Sequence, residues 1–446
     1  MDVKNNTCRR NSRSGQTLIM ITLLIVPMCG VIGMVSDIGY MHFIKASAQT
    51  AAEAAARAAV IDFHSSNSGT GCGGSVICAT TATGCPSAIT TPANSLEHGC
   101  MYAMQHGFTN TGNQSVKYQA GSGTKPATVS GGPTATYWVT FYVAQKVPQM
   151  FSAILGNTNG MVVSRSTASL IGASDCIYAL NPTASDAFSV KGTAAVTSSC
   201  GILVNSNDPY AALYTNGSTT LTAPEYDVVG GVSTHAPLTP TPTSGVSPIS
   251  DPMSGLPVPA TATYTCDNFN YSAGGTKTLS PGVYCGGINP PSNANYTLSA
   301  GTYILVGGGL GVGNNASLAG SGVMIYNTYG ATTNHGTLTY SPINISAGAT
   351  VTLSAPTSGT YAGILFFEDR SAPASFDTFG GNTNSYYEGT IYAKNAAITM
   401  YGTSSILAKY TILVADTISL VGTASFGNNY SLLPTGSPVT QVTIVE

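Results

Sequence analysis

From Gly15 to Ser36 the chain carries no charged side chain, and Lys4, Arg9, Arg10 and Arg13 stand just before that stretch. At about 1.5 Å per residue such a run covers the ~30 Å hydrocarbon core of a bilayer, and the basic flank predicts an N-terminus held inside. Residues 1–14 then read as a cytoplasmic basic segment and 15–36 as a transmembrane helix, with the rest of the chain exported. The rival is a cleaved signal peptide, because Ala46-Ser47-Ala48 offers the small residues that a signal peptidase reads. Against it, the apolar run exceeds the usual h-region and Ala48 lies well past its end.

Gly39 is the one strong helix breaker between Asp37 and Phe63, so residues 37–64 are expected to continue the helix. Met41, Ile44, Ala48, Ala51, Ala55 and Ala58 alternate spacings of three and four, a seam of small residues suited to close helix packing. In an alanine-rich helix, however, almost any register finds alanines.

Charge is scarce beyond the anchor. The 446 residues hold 15 basic and 18 acidic side chains, 7% of the chain, against 51 glycines, 24 prolines and 24 tyrosines. That balance excludes a highly charged disordered chain and a basic nucleic-acid binder. Solubility is expected to rest on Ser, Thr, Asn, Tyr and backbone, a composition that suits short strands and turns on an extracellular surface.

Arg9 and Arg10, Ser14-Gly15-Gln16, the apolar span, Val35-Ser36-Asp37-Ile38-Gly39-Tyr40 and Gln49-Thr50-Ala51-Ala52-Glu53-Ala54-Ala55-Ala56 occur in that order. Over roughly residues 9 to 61 the chain resembles the N-terminal segment of TadG-like proteins of the bacterial Tad, or Flp, pilus assembly systems. Gly15, Asp37, Gly39, Tyr40, Gln49, Ala52 and Glu53 are the positions that carry the match. The resemblance implies an envelope-anchored pilus assembly component related to the TadE and TadF pseudopilins, with other Tad proteins and the inner membrane as partners. Met20 stands where prepilin peptidase substrates carry glutamate, five residues after the glycine. This departure weighs against cleavage after Gly15 and against incorporation as an ordinary pilin.

Residues 65–175 read as a small α+β unit. Leu96, Cys100, Tyr102, Ala103 and Met104 fit a short helix ended by Gly107, and Thr134–Val143 is the strongest strand signal. A short helix over Val147–Leu155 and a strand over Met161–Leu170 follow, an order that also resembles TadE/TadG-like proteins. Trp138, the only tryptophan, is expected in the core.

Residues 176–446 change character. Leu279-Ser-Pro-Gly282-Val-Tyr284 returns nineteen residues later as Leu298-Ser-Ala-Gly301-Thr-Tyr303, and Met400 with Ile398 returns twenty later as Leu420 with Ile418. Val190-Lys-Gly192-Thr193 is a further copy. Short strands and glycine turns repeating near 20 residues predict a parallel β-helix, with a β-sandwich as the alternative. Seven prolines between His235 and Pro259 forbid a helix or an internal strand there, so 235–259 is expected as an extended excursion on the surface.

Cys8 and Cys29 fall before or within the span, which leaves Cys72, Cys78, Cys85, Cys100, Cys176, Cys200, Cys266 and Cys285 outside. An even number in an oxidising compartment argues for disulfides. Connectivity is not encoded, although Cys176–Cys200 and Cys266–Cys285 would each close a loop about one repeat long. Zinc-type C-x2-C knuckles are missing, and His98 and His106 stand too far apart on a helix to share a metal.

An enzyme reading rests on Glu368-Asp369-Arg370 with Asp377 and Glu388, since polysaccharide cleavage uses clustered acids. Adjacent strand residues face opposite sides, and Glu368 and Asp369 are expected as solvated turn residues in the loop after a strand over 363–367. No catalytic, cofactor or metal site is expected, and nucleic acid is not a partner. Two classes remain: a non-enzymatic, membrane-anchored structural or adhesive pilus component, or a surface protein that binds or cleaves glycans.

Overall fold

A computed structural model describes residues 14–66, 72, 78–123, 135–156, 158–259, 263–330, 332–401, 408–433 and 436–445. The basic residues before the span and Cys8 lie outside these, as do Gly402 and Thr403 of the repeat. The chain divides into two compact units, one running to Leu170 and taking in Val442–Glu446, the other Ile171–Gln441.

In the first unit, helix α1 runs unbroken over Ser14–Ser66, with Pro27 inside it. Its outer half carries the small-residue seam, and Ala48, Ala51, Ala52, Ala55, Ala56 and Ala59 are fully buried with Val60 and Phe63. The covering surface comes from the same chain: helix α2 (Ser95–Gln105) and the antiparallel sheet. Alanine is what allows this approach, because a Cβ at Gly99 of α2 would already stand 2.7 Å from the Ala55 carbonyl oxygen. Phe63 stacks on Tyr137 at 3.8 Å between ring centroids. The small-residue seam is therefore packed inside this unit. Helix α2 starts at Asn94, whose side chain accepts the Glu97 amide, and Gly107 beyond its end has φ of 86°.

The sheet has five strands in the order Thr83–Gly84, Gln114–Gly123, Ala135–Pro148, Asn159–Gly172 and Thr440–Ile444. Trp138 packs across Gly121 of the neighbouring strand. Two expectations need correction, and one strand was not foreseen. The strand over Ala135–Pro148 absorbs the start of the helix expected at Val147–Leu155, leaving a single 3-10 turn at Ser152–Leu155. Gln114–Gly123, polar and bearing two glycines, pairs as a full strand. The last residues, expected in the C-terminal domain, form a strand of the first unit, and the boundary expected after residue 175 falls at Leu170.

The second unit is thus inserted between two neighbouring strands. The Val445 amide bonds the Thr167 carbonyl at 2.9 Å and the Ala173 amide bonds the Val439 carbonyl at 3.0 Å. As one strand advances six residues the other retreats six, the mark of an antiparallel pair.

The second unit is mostly β, built of parallel ladders. In the longest, Asn268–Tyr271 pairs with Gly282–Ile288, followed by Gly301–Val306, Val323–Thr328, Ile364–Glu368, Tyr386–Met400 and Thr411–Leu420. The last of these docks on Asp175–Ala179, the first strand of the unit in sequence, which continues to Gly201–Val204, Tyr226–Val228 and Thr243–Ser244. A second ladder takes Thr276–Leu279, Asn295–Leu298, Ser317–Ser321 and Thr350–Ser354 in the same order. Met400 stacks opposite Leu420, Leu420 opposite Val190 and Leu279 opposite Leu298, as the repeat spacing has it, whereas Gly282 pairs two residues past its copy, with Tyr303. Among the described strands of this unit the only antiparallel pair is Thr332–Thr333 with Gly336–Thr337, which removes the hairpins of the sandwich alternative.

Tyrosines fill the interior instead of serving the surface. Tyr178, Tyr226, Tyr296, Tyr303, Tyr326 and Tyr392 are fully buried. Several hydroxyls find backbone, as when Tyr303 donates to the Leu279 and Ser299 carbonyls at 2.8 and 2.9 Å.

The proline-rich excursion leaves the ladder after Thr243–Ser244; the chain then pairs Thr263–Tyr264 with Thr332–Thr333 in a separate small sheet and rejoins the ladder at Asn268–Tyr271, the opposite end of its order. It is held on the way. Asn205 exchanges two bonds with Ile249, and Arg370 donates to the Met253 and Leu256 carbonyls at 2.5 and 2.8 Å. Arg370 also bonds the Tyr392 hydroxyl, which in turn donates to Asp251. The residue singled out as a candidate catalytic cation is a pin for this strap.

Candidate functional site

The matched helix makes its most specific polar contact at Asp37. Its carboxylate accepts the amides of Met150, Phe151 and Ser152 at 3.1, 3.0 and 2.8 Å, and the Ser152 hydroxyl at 3.0 Å. These donors are the unpaired amides at the start of the 3-10 turn Ser152–Leu155, so an anion placed there satisfies them together. Phe151 lies across Gly33, where a Cβ would stand 2.3 Å from its ring. The Asp37 side chain is 6% exposed, so its charge is covered by this loop.

The other matched positions play separate parts. Gly15 lies in the first turn of α1, and Tyr40 is half exposed on the helix surface. Nothing lies within 4 Å of a Cβ placed on Gly39. Gln49 donates to Glu53 at 2.8 Å on the exposed face, and Ala52 is buried in the core. The loop residues that meet Asp37 were missed by sequence reasoning. The signal present was a second charge-free stretch, Val147–Ser164.

The acid group is rearranged more thoroughly. Glu368 ends a strand and is buried with Asp377, against the expectation of solvated turn residues. Tyr340 donates to the Glu368 carboxyl, Asn327 donates to it at 3.4 Å, and the Ile343 amide donates to Asp377 at 3.1 Å. Asp369 turns the other way to accept from Thr328 and Ser371, and Glu388 accepts the Lys409 amide. Burial, and then the neighbouring Asp377 charge, push Glu368 well above the usual carboxylate range; burial lifts Asp377 to about 6. Asp175, buried near Glu225 and Asp227, rises to about 7. A buried carboxyl pair bonded to tyrosine, asparagine and a backbone amide ties neighbouring segments of the unit together.

These shifts set a pH dependence. The folded state holds protons that the unfolded chain releases near pH 4, so stability is full below that value and declines as pH rises through about 6 for Asp377 and about 7 for Asp175. At about 1.4 kcal/mol per unit per group, the second unit is expected to lose a few kcal/mol between pH 5 and 8. Thermal unfolding followed across that range checks this, and Asp175→Asn with Asp377→Asn should flatten the profile. A midpoint that rises with pH would contradict it.

The eight cysteines outside the span lie in four bonds: Cys72–Cys78, Cys85–Cys100, Cys176–Cys200 and Cys266–Cys285. His98 lies 3.8 Å from Asp62. Among the described residues no three His, Cys, Asp or Glu side chains gather in a metal-binding group.

A helix long and apolar enough to cross a membrane, continued into a sheet unit that grips its outer half, fits a membrane-anchored envelope protein. Residues 15–62 match the family described as Tad, putative Flp pilus-assembly TadE/G-like, and the N-terminal segment is of that kind. No curated protein and no solved structure matches the chain.

Proposed function

We propose that this chain is a membrane-anchored, non-enzymatic component of Tad/Flp pilus assembly, crossing the inner membrane once with its N-terminus in the cytoplasm. The exported part is structural or adhesive and works with other Tad assembly or pseudopilin proteins. The family match on α1 carries this reading. Two parallel ladders that advance in one strand order support taking the second unit as a β-helix. The burial of Glu368 and Asp377 supports a scaffold in place of a catalytic groove.

Alkaline phosphatase fused after Ser65 should be active, and an inactive fusion would overturn the orientation. Deleting the gene in its native host should reduce Flp fibre display or surface attachment. Replacing Glu368, Asp369 and Asp377 together tests the enzymatic alternative. If the purified protein released reducing sugar from glycans and the triple replacement abolished that activity, the assembly reading would fall.

A further inference from the structure

We propose that the loop carrying Met150 and Phe151 is a foot that dips into the outer leaflet of the bilayer spanned by α1, so that the first unit holds the membrane at two places. The proposal rests on the reading of α1 as a membrane anchor.

Depth is the first argument. Phe151 lies against Gly33, four residues before Asp37 and so about 6 Å nearer the membrane centre along the helix. Gly33 belongs to the charge-free run that ends at Ser36. A side chain resting on it lies at the level of the hydrocarbon edge, not above the headgroups.

Chemistry is the second. Val147 to Ser164 contains no charge, and Met150 is 77% exposed, Phe151 41%. Met161 and Val163 on the following strand are also exposed, which continues the apolar surface from the loop towards the outer end of the helix. Scattered apolar residues on a soluble surface need no explanation, but a contiguous group meeting an apolar helix marks a membrane or protein contact.

Asp37 supplies the third. A bare carboxylate there would hold the helix out of the hydrocarbon, because burying an unpaired ion is strongly unfavourable. The loop covers it with three amides and a hydroxyl. The first charges of α1 left uncovered lie beyond Tyr40, an aromatic suited to the headgroup level. The same bonds that satisfy Asp37 fix Met150 and Phe151 at this depth, and they favour lipid over a protein partner as the occupant.

Met150→Trp tests the depth directly. The full-length variant is placed in phosphatidylcholine nanodiscs whose acyl chains carry bromine near the carbonyl or near the methyl end. The new tryptophan should lose most of its emission with the shallow bromine and less with the deep one. Trp138, buried in the sheet, should keep its emission in the parent protein. Phe151→Trp provides a second probe, and Ile25→Trp reports on the span itself. If Ile25→Trp is quenched while both loop probes are not, the foot lies outside the bilayer and the proposal is overturned, leaving the patch to a protein partner. If none is quenched, the anchor reading fails first.

Discussion

Excising residues 171–441 and joining Leu170 to Val442 through a two-residue Asn-Gly turn is expected to leave the first unit folded and in the membrane while abolishing whatever the second unit does outside. The two strands at the cut already run side by side in opposite directions, so the new loop replaces a large insertion with a hairpin. Helix α1, its alanine seam and the Cys85–Cys100 bond all lie on the retained side. Truncation at residue 176 behaves differently, because it removes the strand Thr440–Ile444 and leaves Asn159–Gly172 as an open edge prone to aggregation. Membrane fractionation and protease resistance distinguish the two constructions. An excised form that is degraded while the truncated one survives would show that the last strand does not belong to this sheet. If excision leaves pilus display and attachment unchanged in the native host, the ectodomain has no part in either.

Replacing Cys176 and Cys200 together by alanine should lower the unfolding midpoint of the oxidised protein by roughly 10 °C, from a loss of about 3 to 4 kcal/mol for a loop of this length. The bond ties the strand Asp175–Ala179 to the residue that leads into its ladder neighbour Gly201–Val204, with both cysteines buried and their Cα atoms 5.6 Å apart. Asp175–Ala179 is also where Thr411–Leu420, the last strand of the long ladder in sequence, docks. Loosening it therefore loosens the joint between the beginning and end of the unit. Calorimetry of the two forms, with and without reductant, checks the size. Quantitative alkylation of either cysteine in the untreated protein would remove the basis of the prediction.

Local patterns in the sequence were readable where neighbours in space are neighbours in pattern. The continuous helix through Gly39 follows from apolar and alanine-rich composition, and α2 from its periodicity and Gly107. The twenty-residue spacing of Ile398 with Ile418 and Met400 with Leu420 is the ladder register itself. The polar strand Gln114–Gly123 was hidden because its pairing partner, not its own composition, makes it a strand. Tyrosine was misread as surface because a count cannot say whether a hydroxyl will meet water or a backbone carbonyl.

The seam shows the limit most clearly. Its alanines state that something packs closely, and only the folded chain says that α2 and the sheet do so. Likewise Asp37 stands out as the first acid after the span, but its donors lie 113 to 115 residues away. Glu368 reads as a solvent-exposed charge until Tyr340 and Asn327, remote in sequence, enclose it, with Asp377 buried as well. By itself the sequence determined the long apolar helix, the repeat spacing and the even set of cysteines after it, since each depends on composition or spacing along the chain. Tertiary structure alone decided that the last strand returns to the first unit and that Thr411–Leu420 stacks on Asp175–Ala179, because a parallel ladder accepts any strand of matching register, wherever it lies in the chain.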